Sequence, residues 1–543
     1  MNMKLGAFLS RVSLFRCRCI RKPHHASSKP AELALKYKIL EVPLFAQATR
    51  MWCWAASGEM IMHYYEDEVP QYVQANNRFK RDDCGPKTRS RACIKGGWPE
   101  FKKYGFNPGK SKYGALSWKK LVKQFHANQP VGFSWEWKKC KSKKSYGSHY
   151  MVARGYIILN DSKLVVVNDP LPANGDKHKG GTISIMTYSD YVQFRPRHKH
   201  SYTQYDITKS GSKQLSNQKL LRGRVKNEGW KDRRVEGDML SSKMRLKASK
   251  PCVPENSHEL SNIRHFDKFA AGTIHLKKPS VGPKGLIGPP CHGAPGRRRQ
   301  GIWSAAMEGL GLLKALPWSL QKELGYETET MVEKSKLGKK TFYTMDMRSE
   351  PRQDSKDIPG DVLEVHYPVE VERKLVTSIT IRKRRGKWKF AVIGDNSALS
   401  AVKALNEMIV PREPPAYFMV QIHSMNLSFL AYFLQEEEGI GEDNIILYLT
   451  PTHEDPDLTF PLYVPVPAAE VFLELKYLLE RMAEEKGGET LKNQFTGYWN
   501  KMEKALEELD SGEKNRVHRG LKNAVEIINN VFVQLESQNR DTR

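Results

Sequence analysis

A cysteine stands between two tryptophans in the stretch QATRMWCWAASG, residues 47–58, and a glutamine lies six residues before it. Cys53 also begins the segment CWAASGEMIMHYY, whose apolar spacing predicts a helix. The positive end of a helix and a nearby imidazolium together lower a thiol pKa from about 8.5 to roughly 3–4 in the best cases. The pattern therefore indicates a cysteine nucleophile, with Gln47 close enough along the chain to donate a hydrogen bond to an oxyanion.

A cysteine nucleophile needs a base, and the stretch YGSHYMVARGY provides a histidine at the head of a β-rich run. Twenty residues after His149, the run KLVVVNDP ends in Asp169, one hairpin away. These positions predict His149 as the base and Asp169 as the group that orients its ring. Asn168 is the alternative orienter, although a carboxylate stabilises an imidazolium better than an amide does.

Each of these residues also has a plain structural explanation. A lone cysteine is more often a small buried hydrophobe than a nucleophile. His63 and His126 compete for the role of base, and both fall on predicted helices. Trp52 and Trp54 either pack around the turn that carries the cysteine or line a substrate cleft. The order Gln, Cys, His and Asp along the chain favours the catalytic interpretation.

Eight cysteines are spread along the chain, which is not the pattern of a small disulfide framework. Cys84 and Cys93 end the segment CGPKTRSRAC and form a local pair, which would close a loop in an oxidising compartment. A zinc site is disfavoured, because no CxxC motif or ordered Cys/His quartet accompanies them. We predict no metal and no cofactor.

The elements that would position these residues follow a simple order. Two helical patterns, CWAASGEMIMHYY and LSWKKLVKQFHANQP, come before the β-rich runs VGFSWEW, HYMVARGYIIL, KLVVVNDP and GTISIMTY. This order predicts an α+β fold with a helical lobe and an antiparallel β lobe. Later in the chain, VTSITIRKRRGKWKFAVIG predicts a hairpin, and three amphipathic helices follow Ala468.

Composition divides the chain into four predicted parts. Residues 1–38 form a basic tail, and residues 39–208 form the domain that carries the candidate catalytic residues. Residues 209–300 form a basic linker rich in Pro, Gly and Ser, and residues 301–543 form a second α+β domain that ends in helices. No motif in the second domain indicates a function.

The 543-residue chain is strongly basic, with 88 Lys and Arg against 60 Asp and Glu and a net charge of +28. Such a field attracts anionic partners without choosing among them. Aromatic residues are sparse in the linker, so we predict no specific nucleic-acid partner. A solvated linker is the favoured interpretation, and non-specific binding of nucleic acid or a membrane surface by its charge is the alternative. No uncharged apolar run reaches 18 residues, which predicts no transmembrane segment. The oligomeric state is not readable from the sequence.

Several motifs together show a family resemblance. The segments QATRMWCWAASGEMIMHYY, DDC, ACIKGGWPEFKKYGF, SHYMVARGY and VVVNDP resemble the bacterial papain-like cysteine proteases of clan CA, the group that includes type III effector proteases of plant pathogens. The resemblance covers roughly residues 40–205. It implies a helical lobe with the nucleophile, a β lobe with the base, and peptide-bond cleavage through a thioester.

The resemblance implies that Gln47 is the oxyanion donor and Cys53 the nucleophile. It implies that His149 is the base and that Asp169 orients the ring of His149. The chain departs from the family in three places. SYGS precedes the histidine where relatives often have glycines, and Tyr72 and Gly85 stand where relatives tend to have cysteines. The pairing of Cys84 with Cys93 therefore preserves only part of a family disulfide pattern.

Three hypotheses follow from the sequence. The first is a cysteine endopeptidase that acts on a protein or peptide substrate. The second keeps the same thioester and passes the acyl group to an amine, as an acyltransferase or deconjugating enzyme. The third is a non-catalytic basic binding or adaptor protein. No clear signal peptide is present, and the sequence is compatible with secretion, injection into a host or a cytoplasmic location.

Overall fold

The computed structural model describes residues 35–138, 145–194, 198–210, 297–338, 342–346, 361–394, 398–408, 417–435 and 445–541, apart from single positions 87, 89, 160, 454, 456 and 457. Most of the predicted linker lies outside these residues. We call residues 35–210 the first region and residues 297–541 the second region. The described residues form a mixed α+β fold with eleven α-helices, a large, mainly antiparallel sheet and helices at the C-terminus, as predicted.

The first region contains ten strands, four α-helices and one 3-10 turn among its described residues. Its strands are β1 (Leu35–Ile39), β2 (Phe106–Asn107), β3 (Lys110–Tyr113), β4 (Val131–Lys138), β5 (Ser145–Leu159), β6 (Ser162–Asp169), β7 (Thr182–Thr187), β8 (Gln193–Phe194), β9 (His198–Tyr205) and β10 (Thr208–Lys209). Its helices are α1 (Cys53–Tyr64), α2 (Gln71–Phe79), α3 (Trp118–His126) and α4 (Tyr188–Val192), and the 3-10 turn is Phe101–Tyr104. The two predicted helices and four predicted strands are confirmed.

The second region contains nine strands and seven α-helices among its described residues. Its strands are β11 (Lys336–Leu337), β12 (Phe342–Asp346), β13 (Asp361–Val371), β14 (Lys374–Arg384), β15 (Lys387–Ile393), β16 (Tyr417–Ile422), β17 (Leu427–Gln435), β18 (Ile445–Pro451) and β19 (Val466–Pro467). Its helices are α5 (Arg297–Lys314), α6 (Trp318–Glu323), α7 (Glu329–Glu333), α8 (Leu399–Met408), α9 (Ala468–Gln494), α10 (Thr496–Leu509) and α11 (Lys514–Asp541).

The predicted hairpin is confirmed as β14 and β15, which turn at Arg385 and Gly386, both at positive φ. Among the three helices predicted after Ala468, the second has the pattern LKNQFTGYWNKMEKALEEL, which predicts one continuous helix from Leu491. In the structure this run is divided, because α9 extends to Gln494 and α10 begins at Thr496. Inside α9, Gly487 and Gly488 leave the helical backbone, and Gly488 has a φ of 59° that glycine adopts without strain.

Strands β4, β5 and β6 are consecutive antiparallel neighbours and form the part of the sheet that carries the candidate base. Trp135 on β4 lies opposite His149 on β5, and Val152 on β5 lies opposite Asn168 on β6. Helix α1 packs on β5, and the Ser57 hydroxyl donates a hydrogen bond of 3.0 Å to the carbonyl of Tyr150. The start of α1 therefore lies beside the start of β5.

The two regions are joined by a sheet pairing and a shared core. Met186 and Ile185 of β7 pair antiparallel with Val392 and Ile393 of β15. The main hydrophobic cluster includes residues of β5 and β6 together with α5 and α9–α11. Charged groups cross the same boundary, since buried Asp190 binds Arg382 at 2.9 Å and Arg384 at 2.5 Å. The domain boundaries given above stay a prediction, but these two parts of the chain are in contact.

Among the described residues, none of the helices combines the length and apolar character needed to span a membrane.

Candidate active site

Cys53 is the first residue of α1, and only 7% of its surface is exposed. Trp52 precedes the helix without a side-chain cap, so no side chain caps the N–H groups of the first turn. Ala55 and Ala56 are fully buried and let this turn pack closely against its neighbours. The thiol therefore lies at the positive end of the helix, where the helix dipole favours a negative charge.

His149 lies in the first half of β5, and its ring is bound to the carboxylate that the sequence predicts. The distance from His149 Nε2 to Asp169 Oδ1 is 2.6 Å. The same carboxylate oxygen accepts a hydrogen bond of 2.9 Å from the backbone N–H of Leu171, which fixes its position. His149 Nδ1 is buried and makes no aligned hydrogen bond with the described residues. Because Nε2 binds Asp169, Nδ1 is the ring nitrogen left for Cys53.

The surroundings of His149 favour its protonated form. Burial alone would lower its pKa, but the charge of Asp169 and the hydrogen bond to Asp169 outweigh that effect. Cys53 lies beside the ring and contributes in the same direction. Together these groups raise the pKa of His149 from 6.5 to about 10. An imidazolium is therefore the expected form at neutral pH.

Asn168, the alternative orienter, is held elsewhere. Its side-chain N–H groups donate to the carbonyls of Val42 and Pro43 at 3.0 and 2.9 Å. Its side-chain oxygen accepts from Arg154 Nε at 2.7 Å. Through these hydrogen bonds the Asn168 side chain joins β5 and β6 to the segment before Gln47. The neighbouring residue, Asp169, is the one that contacts His149.

Gln47 is fully buried in the turn that leads to Cys53. Its Nε2 donates a hydrogen bond of 2.8 Å to the carbonyl of Thr49. Its backbone N–H donates to the carbonyl of Pro170 at 2.9 Å, and its carbonyl accepts from Asn174 at 2.9 Å. The loop after Asp169 thus holds the backbone of Gln47, so the predicted oxyanion donor and the predicted orienter share one loop.

Gln71 is a supporting residue that the sequence analysis does not single out. Its Nε2 donates to the carbonyl of Ala46 at 2.9 Å, and its Oε1 accepts from the backbone N–H of Ala48 at 2.9 Å. These two hydrogen bonds hold the residues on either side of Gln47, and Gln71 makes them from the first turn of α2. No spacing rule indicates this role, because the contacts span 23 and 25 residues that include the whole of helix α1.

Trp52 and Trp54 are buried, with 0% and 1% of their surfaces exposed. Their indole N–H groups donate to the carbonyls of Cys93 at 2.8 Å and Lys95 at 3.2 Å. Both rings therefore pack between the cysteine turn and the loop that follows Cys84, and neither presents a substantial surface to a substrate. Both side chains pack in the described structure, and a part for either ring in a substrate cleft stays a prediction.

A disulfide joins Cys84 to Cys93, with 5.4 Å between their Cα atoms. It closes the loop whose carbonyl at Cys93 receives the Trp52 indole. Asp83 lies next to the two sulfurs. Because both sulfurs are in the disulfide, neither can act as a thiolate ligand for zinc.

The competing histidines have other partners. His126 Nε2 lies 3.0 Å from the Tyr156 hydroxyl. His63 Nδ1 lies 3.8 Å from Glu68 on the exposed side of α1. Of the three candidate bases, His149 is the one that interacts with Cys53.

Residues 39–198 match the sequence model of the Peptidase_C39 like family. No curated protein matches the chain. The match supports a function of the cysteine-peptidase type for the first region. It covers all the candidate site residues and does not single out the effector proteases within the broader class. The second region lies outside the match.

Proposed function

We propose that the first region is a papain-like cysteine peptidase that hydrolyses amide bonds in a protein or peptide substrate. Cys53 is the nucleophile, His149 the acid and base, Asp169 the orienting carboxylate and Gln47 the oxyanion donor. The observation that carries the proposal is the 2.6 Å contact between His149 and Asp169, on a ring that interacts with the cysteine at the start of α1. The closer kinship with type III effector proteases stays a prediction.

In the first step, the Cys53 sulfur, as a thiolate beside the protonated His149 ring, attacks the carbonyl carbon of the substrate and forms a C–S bond, while the C=O electron pair moves onto the oxygen. The oxyanion accepts hydrogen bonds from the Cys53 backbone N–H and from the Gln47 amide. When the C=O bond reforms, the C–N bond breaks. His149 gives its proton to the leaving amine, and a thioester on Cys53 remains.

In the second step, His149 is neutral and takes a proton from water, which attacks the thioester carbonyl. The C–S bond then breaks, the carboxylic acid leaves, and the sulfur returns to its initial state. Asp169 stabilises the imidazolium in both steps and keeps Nδ1 directed at the reacting groups. The chain's own side chains provide every proton transfer in this scheme.

The second hypothesis, acyl transfer, shares the thioester and differs only in the acceptor. Incubating the full chain with a peptide mixture and with added hydroxylamine or glycine methyl ester distinguishes the two by mass spectrometry. The proposal predicts mainly free carboxyl ends, even when the amine is present. Mainly amine-capped products would make the protein a transferase, and no cleavage at all would contradict both hypotheses.

A further inference from the structure

The second region binds the turn between Gln47 and Cys53 directly. Arg50 lies three residues after the proposed oxyanion donor and three before the proposed nucleophile. Its guanidinium Nη1 lies 2.9 Å from Oδ1 of Asp455, and the two side chains are only 3% and 2% exposed. The carbonyl of the same residue accepts a hydrogen bond of 2.8 Å from the side chain of Asn426. Both partners belong to the second region.

Asn426 ends a 3-10 turn, His423–Met425, between β16 and β17. Its φ is 54°, a left-handed conformation that asparagine tolerates better than most residues. The turn is also bound to helix α11, because the backbone N–H of Ser424 donates a hydrogen bond of 2.9 Å to the side-chain oxygen of Asn529. The 3-10 turn is therefore joined to α11 within the second region.

The same 3-10 turn also contacts the strands that carry the proposed base. The His423 ring stacks on Trp137 of β4, with 4.5 Å between centroids and 10° between planes. Trp137 pairs with Gly147, two residues before His149. A Cβ on Gly147 would lie only 4.0 Å from the backbone of His423 and Ser424. One turn of the second region thus contacts both the cysteine turn and the start of β5.

We infer that residues 423–426 and Asp455 form a clamp that sets the position of Cys53 and Gln47 relative to His149. The inference rests on the proposed function and gives the second region a positioning role in it. A buried ion pair with an added backbone hydrogen bond holds a turn in one geometry, because releasing either partner removes a hydrogen bond from a buried polar group. Reaction rates depend steeply on such geometry, and a misplacement of about 1 Å costs about 100-fold.

Three full-length variants test the clamp, and a fourth is the control. Asp455→Asn removes the charge that binds Arg50 while keeping the volume, and Asp455→Glu keeps the charge. Asn426→Gly removes the hydrogen bond to the Arg50 carbonyl and retains the left-handed backbone, so it tests the clamp even if Asp455→Asn folds poorly. Arg384→Gln is the matched control, because it breaks an ion pair between the same two regions through Asp190, which contacts neither the cysteine turn nor His149 in the described structure.

The quantities to measure are kcat and KM for peptide cleavage, the rate of Cys53 alkylation by iodoacetamide, and the thermal unfolding midpoint. Asp455→Asn should lower kcat by roughly 10- to 100-fold with KM little changed. Asn426→Gly should lower kcat less, and Asp455→Glu should recover part of the loss. Alkylation of Cys53 should change in both Asp455→Asn and Asn426→Gly, whereas Arg384→Gln should change only the unfolding midpoint.

The positioning role of the clamp is contradicted if Cys53 is alkylated and peptide is cleaved at the wild-type rate in both Asp455→Asn and Asn426→Gly. It is also contradicted if Arg384→Gln loses as much activity as they do. If the wild-type protein cleaves no peptide, the proposed function fails. The alkylation rates still test whether the clamp positions Cys53 in that case, because they depend on the surroundings of Cys53 and need no peptide substrate.

Discussion

Replacing Cys53 by alanine should abolish peptide cleavage, with kcat lowered by about a million-fold, as expected when a covalent nucleophile is removed. The physical reason is that no other group in the described site can form the thioester. Cys53 is small and packs in an aromatic cluster with Trp52 and Trp54, so alanine removes the sulfur and leaves only a small void. The loss should appear in kcat, measured by product formation from a peptide substrate, with the fold retained by circular dichroism.

Two variants provide the controls for that result. Cys53→Ser keeps the geometry and substitutes a weaker nucleophile, so it should also be nearly inactive. Cys252→Ala removes a cysteine outside the described residues and should leave the rate unchanged. Residual cleavage by Cys53→Ala at more than a few per cent of the wild-type rate would show that another group attacks the substrate.

Asp169→Asn should lower kcat by roughly 100- to 10,000-fold and should shift the alkaline limb of the pH profile. Asp169 is the main group that raises the pKa of His149 to about 10, against the effect of burial. Without the negative charge, the imidazolium loses its proton at a lower pH, and the donor for the leaving amine is lost. The alkaline limb should therefore move down by about one to three pH units.

The raised pKa of His149 also predicts how the stability of the protein depends on pH. Because folding raises the pKa of His149 above 6.5, the ion pair contributes its full stability below about pH 6.5. That contribution is lost as the pH rises through about 10. The difference in unfolding free energy between wild type and Asp169→Asn, measured by urea unfolding, should therefore shrink between pH 6.5 and 10. A difference that grows over this range would contradict the assignment.

Two of the relations among the candidate site residues are local enough to be predicted from the sequence. Gln47 and Cys53 are separated by a single turn, and His149 and Asp169 lie on strands joined by one hairpin. The spacing of apolar residues along each element and the turn-forming residues between elements are sufficient to place such residues. The choice between Asp169 and Asn168 needed coordinates, because adjacent residues on a strand point to opposite faces and the register decides which one meets the ring.

Other features carried no usable pattern. Arg50 and Asp455 are 405 residues apart, and although Arg50 lies within the stretch QATRMWCWAASG, nothing in the sequence indicates its partner. Strand β17, LSFLAYFLQ, is almost continuously apolar, so its period distinguishes it poorly from a buried helix. The joining of the two regions through β7 and β15 depends on a pairing of distant strands, which alternation alone does not predict.

Activation of Cys53 by His149 is tested most directly by the rate at which a thiol-reactive epoxide modifies Cys53. The modified cysteine is identified by peptide mapping in the full-length wild type, in His149→Ala and in His126→Ala, a control at a histidine bound to Tyr156. We predict selective modification of Cys53 in wild type and His126→Ala, and a rate at least roughly 100-fold lower in His149→Ala. Equal rates in all three proteins would contradict the account.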